Sequence, residues 1–103
     1  MAEELAALDV RHDEEKKRYE AWSGETLAGV AYYRERADRT IFTHTEVEAA
    51  FEGRGVGKAL AAAALDDTVR RGRVIVPLCP FIAGYLRKHP EYEEHVRWPE
   101  GAG

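Results

Sequence analysis

The first half of the chain alternates between apolar and polar positions, and the period lengthens to that of a helix after residue 56. Four short runs in the first half have the content of half-buried strands. "LAALDVRH", residues 5–12, predicts a first strand, and "EEKKRYEAW", residues 14–22, a second with Tyr19 and Trp22 near its end. "TLAGVAYYRER", residues 26–36, predicts a third and "TIFTHTEVEA", residues 40–49, a fourth. "SGE" at 23–25 and "ADRT" at 37–40 are turn signals between the runs. Strict alternation in the fourth run puts Ile41, Thr43, Thr45 and Val47 on one face and Phe42, His44, Glu46 and Glu48 on the other. The expectation is an antiparallel meander of short hairpins.

From Val56 to about Arg71 the residues are strong helix formers, and Leu60, Ala61, Ala64, Leu65 and Thr68 form a stripe at helical spacing. Arg70 and Arg71 suit the negative end of the helix dipole, and Gly72 suits its C-terminal cap. "RVIVPLC" predicts a short apolar strand in which Pro77 argues against a central position. "PFIAGYLRKH" predicts a second helix with Pro80 in its first turn. "PEYEEHVRW" predicts a last extended segment, and the tail, about 99–103, is expected to fray. The expected fold class is α+β, or mixed α/β: a meander, then a glycine loop, helix, strand and helix.

Composition narrows the function classes. A chain of 103 residues suits a single domain, 1–103. The net charge of −4 argues against general nucleic-acid binding. The single cysteine, Cys79, excludes an internal disulfide. No apolar run reaches the length of a membrane span, and "MAEELAALDV" has no signal-peptide pattern, so the expected setting is the cytoplasm. His12, His89 and His95 have no ligand partners at metal-binding spacing, so no metal site is expected. Residues 14–18, of mixed sign, read as an exposed turn and strand face. An exposed edge strand leaves monomer and homodimer both open.

The sharpest chemical signal is "FEGRGVGKALAAAAL", residues 51–65, with glycines at 53, 55 and 57 beside an alanine-rich helix start. It is not the magnesium-dependent phosphate loop: Gly57 and Lys58 supply its Gly-Lys pair, but Glu52 and Ala59 stand where glycine and a hydroxyl are required. It is a weak dinucleotide fingerprint, because Lys58 takes the third glycine's place and a meander precedes it. The remaining reading is a metal-free pyrophosphate cradle. Backbone N–H groups from Arg54 through Gly55, Val56, Gly57 and Lys58 to Ala59 converge at a helix N-terminus, and glycine at 55 and 57 permits close approach. Arg54 and Lys58 are also read either as phosphate partners or as a solvated helix start.

"VEAAFEGRGVGKAL" resembles the acyl-CoA loop of the GNAT superfamily of N-acetyltransferases, R/Q-x-x-G-x-G/A, with Val47 eight residues before Gly55 as in that motif. "AGYLRKHPEY" is similar to a later family segment, and "HTEV", "GRGVGKAL" and "PLCPFIAGYL" in that order resemble a small single-domain GNAT-like subfamily. The resemblance covers about residues 27 to 95. Glu52 departs from the pattern, standing where the family has Arg or Gln. The resemblance implies acetyl-CoA as cosubstrate, a primary amine of unknown identity as acceptor, and no metal. It also implies a sheet that splays between the strand ending at Val47 and the one ending near Leu78. The pantetheine arm would pair there with the backbone of residues 45 to 48, Glu46 and Val47 among them.

Acyl transfer from a thioester to an amine needs a base, a donor for the developing oxyanion and an acid for the leaving thiolate. His44, with Glu46 two residues along, reads either as the base or as the plug of a half-buried strand. Cys79 reads as a nucleophile near a helix N-terminus, as a neighbour of the acetyl group, or as a small buried hydrophobe. Tyr85 matches the family tyrosine that protonates the thiolate, and reads equally as packing against Phe81 four residues earlier. Two other functions stay open: a CoA-binding module with little turnover, and an interaction domain that keeps only the scaffold.

Overall fold

The computed structural model describes residues 8–99. The start of the first expected strand, residues 5–7, and the tail from 100 onward lie outside them. Five strands form one sheet in sequence order: β1 (Leu8–Asp13), β2 (Arg18–Ser23), β3 (Thr26–Arg36), β4 (Arg39–Val47) and β5 (Val74–Pro77). The first four pair antiparallel, and β5 adds parallel to β4 after the crossover through α1 (Val56–Arg70). A second helix, α2 (Pro80–Arg87), follows, and after it comes a 3-10 turn over Pro90–His95. The mixed α+β class expected from the pattern is the class observed.

α1 lies across the sheet and buries Val56, Leu60, Ala61, Ala64, Leu65 and Thr68 against Tyr19, Ala21, Ala31, Tyr33 and Phe42. The expected helical stripe is therefore the core stripe. Its end is closed by a full Schellman pair: Gly72 N–H donates to Val69 O and Arg73 N–H to Thr68 O, with Gly72 at φ 72°. Its start is placed by Gly29 in β3. A Cβ on Gly29 would lie 2.8 Å from the Glu46 carbonyl oxygen, 2.9 Å from Val56 Cγ1 and 3.2 Å from Leu60 Cδ1. Only a residue without a side chain lets the first turn of α1 sit this close to β3 and β4.

Four expectations change. Glu14–Lys17 is a turn, not strand: Lys16 N–H is held by Asp13 Oδ1, and Lys17 has φ 55°. Arg18 is not an exposed strand residue, because its guanidinium is drawn in to Glu20 at 2.7 Å and to Tyr32 Oη at 3.2 Å. The β3–β4 turn is only Ala37 and Asp38, and Arg39 and Thr40 already belong to β4. The last segment is a 3-10 turn anchored by Tyr92, whose hydroxyl donates to Asp66 at 2.5 Å; an extended bridge remains only between Val96 and Ile75.

The correction that matters for the site lies in β4. Tyr32 opposes His44, and the next residue, Tyr33, opposes Phe42, so Thr43 is an extra residue in β4. This bulge breaks the alternation. Phe42 turns into the core with Thr45 and Val47, and His44 and Glu46 keep the opposite face with Tyr32.

Candidate functional site

The bulge coincides with the place where the sheet opens. β4 and β5 pair from Arg39–Val74 to Phe42–Pro77 and no further. The amides of Leu78 and Cys79 then both donate to Phe42 O, which turns the chain away from β4 into α2. Among the described residues, β4 from Thr43 to Val47 has no strand partner on that side. A side-chain hydrogen bond crosses the gap, Thr45 Oγ1 to Cys79 Sγ at 3.2 Å.

At the far end of β4 the chain passes through a 3-10 turn over Ala49–Phe51 into the glycine loop. Gly53 and Gly55 hold φ of 79° and 83°, a region closed to most side chains at low cost. Gly55 is the N-cap of α1 and supplies no side-chain cap. The expected six amides reduce to four. Arg54 N–H donates to Phe51 O and Ala59 N–H to Gly55 O, whereas the amides of Gly55, Val56, Gly57 and Lys58 have no acceptor among the described residues. No acidic residue stands in the first turn of α1, so the partial positive charge there is uncompensated. Glu52 is exposed, and Arg54 lies over the Phe51 ring at 5.9 Å instead of pairing with it.

Two cavities meet at this loop. One of about 250 Å³ is lined by Val47, Phe51, Gly55, Val56, Gly57 and Phe81. The other, about 420 Å³, lies between the start of α1 and the outer side of α2, among Lys58, Phe81, Gly84, Tyr85, Lys88 and His89. Phe81 and Lys58 line both.

The profile of the GCN5-related N-acetyl-transferase family matches residues 18–96. The chain belongs to this family. It is 31% identical over 101 residues to Protein NATD1 of Gallus gallus, spanning 94% of this chain and 92% of the relative. Protein NATD1 of Homo sapiens is 31% identical over 99 residues, spanning 92% and 88%. The solution structure of a GCN5-like protein from Staphylococcus aureus superposes with a TM-score of 0.70 at 21% identity, covering 94% of this chain and 95% of that one. That likeness establishes a GNAT-like fold.

Within this GNAT-like frame the expected site residues fall into four groups. Val47, Gly55, Val56, Gly57 and Lys58 line the glycine-loop cavity, and the Arg54 and Ala59 amides lie beside it with their hydrogen bonds made. Cys79 lies at the splay, 2% exposed, as the N-cap of α2 and against Thr45. Tyr85 lines the larger cavity, stacked on His89 at 3.9 Å between ring centroids. Burial raises the Tyr85 pKa, and Asp66 and Glu91 add to the rise, so its phenol stays protonated at neutral pH. His44 stands apart from Cys79: it is on the other face of β4, exposed, paired with Glu46 at 2.8 Å and stacked on Tyr32 at 6.4 Å. The cysteine and the histidine therefore make no dyad.

The sequence reading took Thr45 only through its backbone, without its side chain, and missed Phe51 and Phe81 as site residues. Thr45 and Phe51 carry no chemical signature. Phe81 had one available signal: an apolar residue at the second position of a helix, where a polar residue suits solvent better.

A separate polar cluster under α1 also escaped that reading. His12 stacks on Tyr19 at 4.1 Å, its Nε2 meets Tyr33 Oη at 2.5 Å, and Tyr19 donates to Asp67 at 2.7 Å. Tyr33 is 3% exposed and burial pushes its pKa up to about 12. Tyr19 and His12, the latter 3.5 Å from Asp67, tie β2 and β1 to the helix.

Proposed function

We propose that this protein binds acetyl-CoA at the glycine loop and transfers the acetyl group to a primary amine. The observation that carries the reading is the set of four unengaged amides, Gly55 to Lys58, at the positive end of α1 and continuous with an opened sheet edge. Anions bind such helix starts through backbone N–H groups and the aligned peptide dipoles. Val47 and the free edge of β4 lead from this loop toward Thr45 and Cys79, so a pantetheine arm laid along β4 ends near the thiol.

In the transfer the amine nitrogen attacks the thioester carbonyl carbon and the C–S bond breaks. The amine loses a proton and the departing thiolate gains one. Tyr85, held protonated, is the proton donor for the thiolate. His44, backed by the Glu46 carboxylate, is the base on the opposite face of β4, where a water-borne amine arrives. Direct attack is favoured over an acetyl-cysteine route because Cys79 is buried and in contact with Thr45. The outward position of His44 favours one second reading, a CoA-binding module without turnover.

Calorimetry with acetyl-CoA, followed by thiol release over a panel of peptides, polyamines and small amines, tests both readings. Saturable binding with turnover on one amine class is expected. Binding with no turnover across the panel leaves the module, and no binding removes both. In the same assay Cys79→Ala keeps turnover within about tenfold of wild type if attack is direct, and an obligatory acetyl-cysteine would abolish it.

A further inference from the structure

We propose that Phe81 partitions the coenzyme groove, so that its ring must leave Gly57 before a diphosphate can reach the glycine-loop amides. The inference rests on the coenzyme reading above and adds a residue that controls entry and positioning.

Phe81 and Leu78 are the large hydrophobic side chains most exposed among the described residues, at 42% and 55%. The tip of the partly exposed Phe81 ring rests on the glycine loop. A Cβ on Gly57 would lie 2.7 Å from its Cζ, 3.2 Å from Cε2 and 3.3 Å from Cε1, so the ring tip fills the space that a side chain at 57 would take. Gly57 carries one of the four unengaged amides. The ring tip therefore packs on a residue of the loop itself, and the ring forms the wall shared by the two cavities.

The geometry also provides a place for the ring to go. Phe81 sits at the second position of α2, after Pro80, and its backbone is fixed by the helix, so only its side-chain torsions are free. Three residues along, Gly84 lines the larger cavity, and a Cβ built there would meet nothing within 4 Å. Rotation toward that space joins the two cavities past Lys58. Exposed aromatic side chains change rotamer quickly, so the cost is the lost contact with Gly57. Seating of a diphosphate and displacement of the ring are then one coupled event.

Two measurements test this. Stopped-flow and calorimetry with coenzyme A compare wild type with Phe81→Ala. Removing the partition is expected to raise the association rate and lower the Kd by roughly 3- to 10-fold. The second measurement is 19F NMR of protein labelled with 4-fluorophenylalanine. The chain has three phenylalanines, and the Phe81 resonance is assigned by its loss in Phe81→Leu. It is expected to move on addition of coenzyme A, and to move without ligand in Gly57→Ala, while that of the fully buried Phe42 stays. Unchanged or weaker binding by Phe81→Ala, or an unmoved Phe81 resonance in the saturated wild type, overturns the inference and leaves the proposed function standing. Binding by Phe81→Ala but not by wild type supports it in its strongest form. If neither protein binds coenzyme A, both the proposed function and this inference fall.

Discussion

The two halves of β4 lie on one strand and behave differently. From Arg39 to Phe42 the strand is paired on both sides, and its surroundings are locked. Arg73 donates to Thr40 Oγ1 at 2.9 Å and to Arg39 O at 2.5 Å, and lies 3.5 Å from Glu35. Thr40 is fully buried there with its hydroxyl satisfied. From Thr43 to Val47 one side of the strand is open, and beyond it four amides stay unengaged. A single inserted residue, Thr43, separates the two. Stability is concentrated where the polar groups are matched, and capacity for a ligand where they are not. Changes in the closed half should therefore alter stability and spare binding, and changes in the open half should do the reverse.

The largest expected effect breaks the open half. Gly55→Glu puts a carboxylate inside the amide cluster, and coenzyme affinity should fall on the order of 100-fold or more, since it opposes both the helix dipole and a diphosphate. Gly55→Ala carries the same backbone strain at φ 83° without the charge and serves as its control. Calorimetry reads the affinities, and circular dichroism should show both variants folded. If the two variants lose affinity equally, strain rather than charge is responsible and the amide cluster is not an anion site.

Gly29→Ala tests the seat of α1 at the far end of the open half, where Gly29 pairs with Val47. Its methyl would meet the Glu46 carbonyl and Val56, and the overpacking should cost about 1–3 kcal/mol in urea unfolding. Because it also tilts the start of α1, coenzyme binding should weaken with it. Stability lost with affinity intact would show that the loop position does not depend on this contact.

Arg73→Ala acts in the closed half alone. Leaving the buried Thr40 hydroxyl and the Arg39 carbonyl without their donor should cost about 1–2 kcal/mol. Coenzyme affinity should stay within about twofold, since the change lies outside the loop. A large loss of affinity would erase the division between the halves.

The smallest effect is a pH dependence on the face that carries His44. Glu20 is 7% exposed, and burial alone would raise its pKa; the hydrogen bonds from Trp22 and Arg18 outweigh burial and hold it below the ordinary value. A depressed carboxylate contributes stability above the unfolded value of about 4.3, and that contribution is lost as pH falls through the folded value. Wild type should lose about 1 kcal/mol more than Glu20→Gln between pH 6 and pH 3. Parallel pH profiles for the two proteins would contradict this account of Glu20.

Much of the closed architecture was legible in the chain, because local signals and packing agree there. The third strand spans residues 26–36 as its composition indicates, and Gly72 ends α1 as its position suggests. The mixed-sign run at 14–17 is the exposed turn its charges suggest, but the second strand was begun too early because the turn depends on a positive φ at Lys17, which no glycine announces. The bulge at Thr43 has no compositional mark either, so Phe42 was assigned to the wrong face. The glycine loop stood out because glycine is the residue such a loop requires. Which of its amides are free depends on carbonyls at Phe51 and Gly55, and the ring over Gly57 comes from another helix. The first is set by backbone geometry and the second by a contact distant in sequence, and neither leaves a periodic trace.

The most direct test is an amide titration. In 15N-labelled protein, addition of coenzyme A should move the N–H signals of Gly55, Val56, Gly57 and Lys58 downfield together, with magnesium absent and with those of Arg54 and Ala59 moving less. Shifts confined to other residues, or none at saturating ligand, would contradict the claim that these four amides hold the diphosphate.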